Sequence, residues 1–368
     1  MIDGSLLVTG GAGYLGRRLA RAWLEAGGRV IVWVRAREAS GLARLRGELA
    51  DGVGGAAARL DVASGDLASD EAFAGVDPGR VRAIVHGAAA TRFNIDEVTA
   101  AVNVEGTRRL LRFADRCERL ADVTFLSSIY ASGLRAGAVL EEPLDEGEGF
   151  ANHYERSKWA SEQVLLREFS HLPWRIARVA TVIADDDTGR VSQQNAFHNT
   201  LKLFYYGLLS VVPGHPDTPL YFVTGEFVTG ALRQLVGQAP AKSVLHLAHG
   251  RGESATLGEL VDTAFEVFAE HAEFKKRRVL KPLYSDADAF DLLADGVRSF
   301  AGGVVNQAVS SVTPFARQLF VAKDVHNDRL RAVLTGYRAP DPRRLIADTC
   351  RQLVATRWGR DGGSARVE

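Results

Sequence analysis

The chain has 368 residues, 46% of them apolar and 24% charged, and its 45 lysine and arginine residues balance 45 aspartate and glutamate residues. That is enough material for a sizeable core, and the composition excludes a disordered, collagenous or nucleic-acid-coating protein. Two widely spaced cysteines, Cys117 and Cys350, argue against a disulfide framework or a metal site, and no run of about 18 apolar residues or basic leader is present, so a cytoplasmic protein without a membrane span is expected.

In chain order, strand-like apolar runs occur at Ser5–Thr9, Arg29–Val34, Ala56–Asp61, Arg82–His86, Asp122–Ser127 and Arg175–Val182. Between them lie stretches with helical spacing, such as Leu15, Leu19, Trp23 and Leu24. Strand and helix in repetition predict an α/β fold, a doubly wound parallel sheet of the Rossmann type covered on both faces. The alternation stops near Gly189. The segment "FVTGALRQLV" then reads as a helix, "VLHLAHG" as a strand returning to the sheet, and "LGELVDTAFEVFAEHA" as a long amphipathic helix. The expected organisation is a Rossmann domain over 1–189 with 226–250 returning to it, and a smaller, mainly helical cap from 190–225 and 251–368. The apolar stretches "FDLLADGVRSFAGGVVNQ" and "PFARQLFVAKDVHNDRLRAVL" in this cap either shape a substrate tunnel or carrier-docking face, or simply pack it on the sheet.

The first strand runs into "GGAGYLG", with Gly10, Gly13 and Gly16 at a spacing of three before a helix starting near Tyr14. Missing side chains there let backbone N–H groups approach a pyrophosphate at the positive end of the helix. In such folds an acid at the end of the second strand binds the ribose of NAD. This chain offers Arg35 and Arg37, with Arg44 one helical stretch on, and guanidinium groups suit a 2′-phosphate, so NADP is favoured. Exposed strand-end arginines without a ligand are the bland alternative. Asp66, after the third strand, is placed to accept from an adenine amino group. His86 ends the fourth strand and reads as structural.

In "NHYERSKWASE", Tyr154 and Lys158 stand at i and i+4, on one helix face. A lysine charge beside a phenol is expected to lower the tyrosine pKa toward the working range of a proton donor. Ser127 and Ser128 end the strand "FLSS" at the edge of the sheet where ligands bind.

Together with the glycine loop and Asn103 in "NVEGT", these motifs resemble the extended short-chain dehydrogenase/reductase superfamily over about residues 5–250. The resemblance implies that Ser128, five residues before Gly133, orients a substrate carbonyl, that Tyr154 is the acid/base, and that Lys158 tunes it and binds the nicotinamide ribose. Asn103 either supports the proton relay of that family or is a helix-interior amide bonded to backbone. The implied cofactor contacts also include Ala12, Tyr14, Leu15, Leu67, Ala88, Ala89 and Val182. The segments "IVHGAAATRFN", "EEPLDEGEGFANHYERSKWASE" and "VVPG" followed by "FVTGEFV" narrow the resemblance to the branch of thioester reductase domains, carboxylic acid reductase domains and fatty acyl-CoA reductases.

That branch implies NADPH-dependent reduction of an acyl thioester, on CoA or a separate carrier protein, to an aldehyde or alcohol. Departures occur at "RVATVIA", where Val179 and Ala184 replace a proline and a glycine, and at "FVTGEFV". They bear on the nicotinamide-side loop and the substrate pocket. Reduction of an ordinary ketone, aldehyde or alcohol is the alternative, and a non-catalytic dinucleotide-binding protein is a third reading. The basic run Lys275, Lys276, Arg277 and Arg278 could meet an acidic carrier or a CoA phosphate, or be a solvated face.

Overall fold

The computed structural model describes residues 2–35, 38–238, 240–300 and 312–359, side chains of 297–300 excepted; Arg37 and the apolar stretch 301–311 lie outside the described residues. A seven-stranded, wholly parallel sheet forms the centre. In chain order the first elements are β1 (Ser5–Thr9), α1 (Tyr14–Glu25), β2 (Arg29–Arg35), α2 (Ala39–Ala50), β3 (Leu60–Gly65) and β4 (Val81–His86). They are followed by α3 (Glu97–Asp115), β5 (Asp122–Ser128), β6 (Gly137–Val139), α4 (His153–Glu168), β7 (Trp174–Val179) and β8 (Thr181–Ala184). The second half adds α5 (Ala196–Tyr206), β9 (Val211–Pro213), β10 (Pro219–Leu220), β11 (Phe222–Thr224), α6 (Gly225–Leu235) and β12 (Ser243–Leu247).

The sheet order is β12-β7-β5-β4-β1-β2-β3, so the winding reverses between β1 and β4, the crevice where such sheets bind ligands. The strands alternate sides, as a doubly covered sheet requires. Leu6, Val8, Val30 and Val32 face one buried cluster, whereas Leu7, Ile31 and Trp33 face another. A third cluster, built from α5, α7 (Leu257–Phe268) and helix Pro342–Ala355, forms the core of the C-terminal part.

Three elements differ from the sequence reading. The third strand is Leu60–Gly65, while Ala56–Ala58, which the reading placed in that strand, is a short 3-10 turn following Gly55 in the left-handed region. An alanine run does not distinguish turn from strand; pairing of Val30 with Leu60 sets the register. The apolar run Arg175–Val182 is two strands. At Ala180 the N–H turns to the Leu247 carbonyl and that of Thr181 to Tyr221, so β8 leaves the sheet and pairs with β11. The long helix from Leu257 stops at Phe268, and Ala272–Arg277 forms a separate turn of helix. The C-terminal part also holds strands Leu283–Ser285 and Lys323–Val325, the second pairing with β6 just after the Ser128 strand. Among the described residues no helix is long and apolar enough to cross a membrane, and both cysteines are buried free thiols.

Candidate active site

At the β1–α1 turn, Gly10 has φ +71°, and a Cβ there would stand 2.9 Å from the backbone of Gly87 and Ala88. A Cβ on Gly16 would stand 2.3 Å from the Gly10 carbonyl oxygen. These two positions close the turn against the next strand and helix. Gly13 is different: its Cβ direction meets only the Gly10 oxygen, at 3.2 Å, and it begins α1 with no side chain capping the helix. The free N–H groups of α1 are therefore left to an anion, which is the cradle a pyrophosphate needs. Leu15 packs against the core and the Ala12 carbonyl accepts from Arg17 Nε at 2.9 Å. The Tyr14 hydroxyl donates to Asp185 Oδ1 at 2.6 Å, so its phenol is committed to the end of β8.

Behind this turn runs a buried hydrogen-bond chain. The Ala88 N–H donates to Thr9 Oγ1 at 3.2 Å, Thr9 Oγ1 lies 2.6 Å from His86 Nδ1, and His86 Nε2 lies 3.2 Å from Thr107 Oγ1, which donates to the Asn103 carbonyl. Because Thr107 has spent its proton, Nε2 must donate and Nδ1 must accept, so His86 is a neutral imidazole of fixed tautomer. Burial and the Lys158 charge pull its pKa down to about 3. The Asn103 amide accepts from Ala90 N–H at 2.8 Å, donates to the Ala90 carbonyl at 3.0 Å, and reaches Ser157 Oγ at 3.2 Å. It ties the loop holding Ala88 and Ala89 to the helix of Tyr154.

On the adenosine side, β2 ends at exposed Arg35, level with Gly65 at the end of β3. Exposed Asp66 follows, its carboxylate accepting from Ala68 N–H at 2.9 Å, with Leu67 packed beside α3. Arg44 is 74% exposed and leans on Glu48 at 3.5 Å. Val182, on β8, lends its carbonyl to Asn195 Nδ2 at 2.8 Å.

Ser128, Tyr154 and Lys158 gather at the carboxyl end of β5. Ser128 is the last residue of that strand; its hydroxyl accepts from Tyr130 N–H at 3.2 Å and is close enough to the Tyr154 phenol to favour its ionised form. Helix α4 presents Tyr154 because Asn152 caps its start, accepting from Glu155 N–H at 3.0 Å. One turn later, Lys158 Nζ donates to the Leu126 carbonyl at 2.9 Å, over the Phe125 ring.

One expectation is corrected here. Tyr154 is pushed up to about 12, because burial outweighs the Ser128 hydrogen bond, and Lys158 makes no contribution that lowers it. Burial also pulls Lys158 itself down to about 8. The ammonium serves the Leu126 carbonyl in this state rather than the phenol.

Several residues around the site carried no signal in the sequence reading. Phe93 stands edge-on to both Tyr130 and Tyr154, at ring distances of 5.6 and 5.4 Å, and Phe315 lies 5.9 Å beyond it. Arg178, one of the residues flanking the nicotinamide-side departure, is wholly buried and forked onto Glu162 at 3.0 and 2.7 Å, with Ser127 Oγ on the same carboxylate at 2.5 Å. Buried Glu155 and Lys323 complete the set; of seven lysines, Lys158 and Lys323 are the two buried ones.

Residues 8–232 match the family model described as Male sterility protein, a family of NAD-binding domains. The chain belongs to that family. It thereby sits in the extended short-chain dehydrogenase/reductase superfamily of oxidoreductases, in its thioester reductase-like branch, and carries a nicotinamide-dinucleotide-binding domain. The carboxylic acid reductase of Segniliparus rugosus is 32% identical over 226 residues, 52% of this chain and 19% of that protein. An NRPS-like oxidoreductase, fscA, of Fusarium equiseti is 34% identical over 159 residues, 39% of this chain and 14% of that protein. The chain thus spans less than a fifth of the length of the curated relatives it matches. Among solved structures, the terminal R domain of the myxalamid PKS-NRPS pathway superposes with a TM-score of 0.73 at 22% identity, covering 97% of this chain and 93% of that one, which places the fold.

Proposed function

We propose that the protein is an NADPH-dependent reductase of acyl thioesters, with Ser128 and Tyr154 as the groups that bind and protonate the reacting oxygen. The observation that carries this reading is the convergence of the Ser128 hydroxyl, at the carboxyl end of β5, on the buried Tyr154 phenol, one helical turn from Lys158. When bound, the dinucleotide supplies a hydride. The α1 N-terminus would hold its pyrophosphate, Asp66 its adenine and Arg35 its 2′-phosphate. A cationic strand end with no acid of its own supports NADP over NAD.

The chain's own residues then do three things. Ser128 Oγ donates to the thioester carbonyl oxygen and orients the carbon. Tyr154, which keeps its proton at neutral pH, gives it to that oxygen as negative charge develops. Lys158 shares its charge with the phenolate left behind, for which its ammonium must leave the Leu126 carbonyl. The resulting thiohemiacetal breaks its carbon–sulfur bond, releasing an aldehyde and a free thiol. The walls of Phe93, Tyr130 and Phe315 exclude water from the phenol. The substrate is proposed to arrive on CoA or on an acyl carrier.

Replacing Tyr154 by phenylalanine tests the reading. Turnover with NADPH is expected to fall by about 10²–10⁴-fold, the usual scale of a lost general acid, with dinucleotide binding kept. Near-normal turnover in Tyr154→Phe would remove Tyr154 from the chemistry and the reading with it.

A further inference from the structure

Residue Glu155 follows the proposed acid, points away from the face shared by Tyr154 and Lys158, and is wholly buried. Its Oε2 accepts from Ala151 N–H at 3.0 Å and from Gln318 Nε2 at 2.8 Å, and its Oε1 accepts from Asn152 Nδ2 at 3.1 Å. Asn152, the cap of α4, also donates to the Pro314 carbonyl at 2.9 Å. The same Gln318 amide donates to the Gly133 carbonyl at 3.0 Å, and Lys323 Nζ donates to the carbonyls of Gly133 and Arg135.

Gly133 closes the turn that begins at Ser128. Its φ is +59°, and a Cβ there would stand 2.0 Å from the Gly149 carbonyl oxygen, so this carbonyl is held in one direction. A single buried cluster from residues 314–323 therefore grips the turn after Ser128 with one hand and the first turn of α4 with the other. The contacts bridge 162 to 190 positions of sequence. The same segment places Phe315 against Phe93, which lies on Tyr154.

We propose that Glu155, clasped by Gln318 and faced by Lys323, is a positioning residue that fixes the turn after Ser128 against the first turn of the Tyr154 helix from behind, making the C-terminal segment part of the reaction geometry rather than a cover. This rests on the reductase reading for its kinetic consequences only. A carboxylate fits the three donors better than a carboxylic acid, which would have to spend one oxygen on its own proton. Burial pushes Glu155 up to about 7 and pulls Lys323 down to about 8. The charged or titratable groups that bear on the cluster are Lys323, Tyr130 and Tyr154 around Glu155, and Arg135 and Glu148 around Lys323. The clasp therefore tightens as pH rises through neutrality.

The test uses Glu155→Gln, Glu155→Ala and Gln318→Ala in the full chain. Dinucleotide affinity is expected to stay within about twofold of wild type, because the cradle is untouched. The kcat is expected to fall by about 10- to 100-fold in Glu155→Ala and Gln318→Ala, the scale of a misplaced reacting group. Glu155→Gln should recover part of that loss while abolishing the acid limb near neutral pH that wild type shows. Wild-type kcat and an unchanged pH profile in all three variants would overturn the proposal.

A crystal structure of Gln318→Ala gives a readout independent of turnover: the closeness of the Ser128 and Tyr154 hydroxyls is expected to be lost. Its retention counts against the proposal even if kcat falls through instability. A wild type that turns over no acyl thioester or carbonyl compound would sink the reductase reading alone, since the crystallographic comparison still decides the positioning role.

Discussion

Tyr154 holds its proton throughout the physiological range, because burial pushes its phenol up to about 12 and the Lys158 ammonium is turned onto the Leu126 carbonyl. Under the proposed mechanism such a phenol gives up its proton during reduction without any prior ionisation. Arg35 is the residue whose role is simplest to isolate. A hydrogen bond to a charged group is worth about 1.5–3 kcal/mol, so Arg35→Glu should weaken NADPH binding by about 10- to 150-fold. NADH binding should be nearly unaffected. Fluorescence titration with both dinucleotides measures this, and an equal loss for the two would show that Arg35 does not read the 2′-phosphate.

At the scale of elements, what the sequence disclosed depended on how local the determining contact is. Strands β1, β2, β4 and β5 are apolar runs bounded by glycine or polar residues, so their bounds could be read to within a residue. The Tyr154–Lys158 spacing is equally local. The break at Ala180 was illegible, because its N–H is claimed by Leu247 and its neighbour's by Tyr221, partners that a linear apolar run does not reveal. Gln318 and Lys323 were illegible for the same reason. The glycine turn gives a direct test at this scale: Gly16→Ala drives a Cβ against the Gly10 oxygen and is expected to cost about 1–3 kcal/mol in a urea titration, with loss of dinucleotide binding. The α4–β7 pairing gives another. Arg178→Met strands Glu162 as a buried acid without its partner and should cost about 3–5 kcal/mol; a midpoint unchanged from wild type would show that the pair does not brace the helix carrying Tyr154.

For the whole molecule, several buried histidines make stability depend on pH. His246 donates from Nδ1 to the His326 carbonyl at 2.7 Å and accepts from Arg178 at Nε2, and His198 donates from Nε2 to the Ile183 carbonyl at 2.9 Å while accepting from Asn195 N–H. Burial pulls His86 and His246 down to about 3 and His198 to about 4. Each is neutral when folded and takes a proton near pH 6.5 when unfolded, so the unfolded chain binds more protons below that pH. Stability is thus fully present above about 6.5 and is lost as pH falls toward the folded values. Melting temperature should decline steadily between pH 6.5 and pH 4, and a flat profile there would contradict the neutral-imidazole assignments. The central claim is chemical, and one experiment meets it directly: the protein is incubated with NADPH and a panel of acyl-CoA and acyl-pantetheine esters while nicotinamide absorbance and free thiol are followed together. The account predicts thiol released as nicotinamide is oxidised, with an aldehyde or alcohol as the other product. Oxidation of NADPH by simple ketones or aldehydes with no thiol from any ester would contradict it.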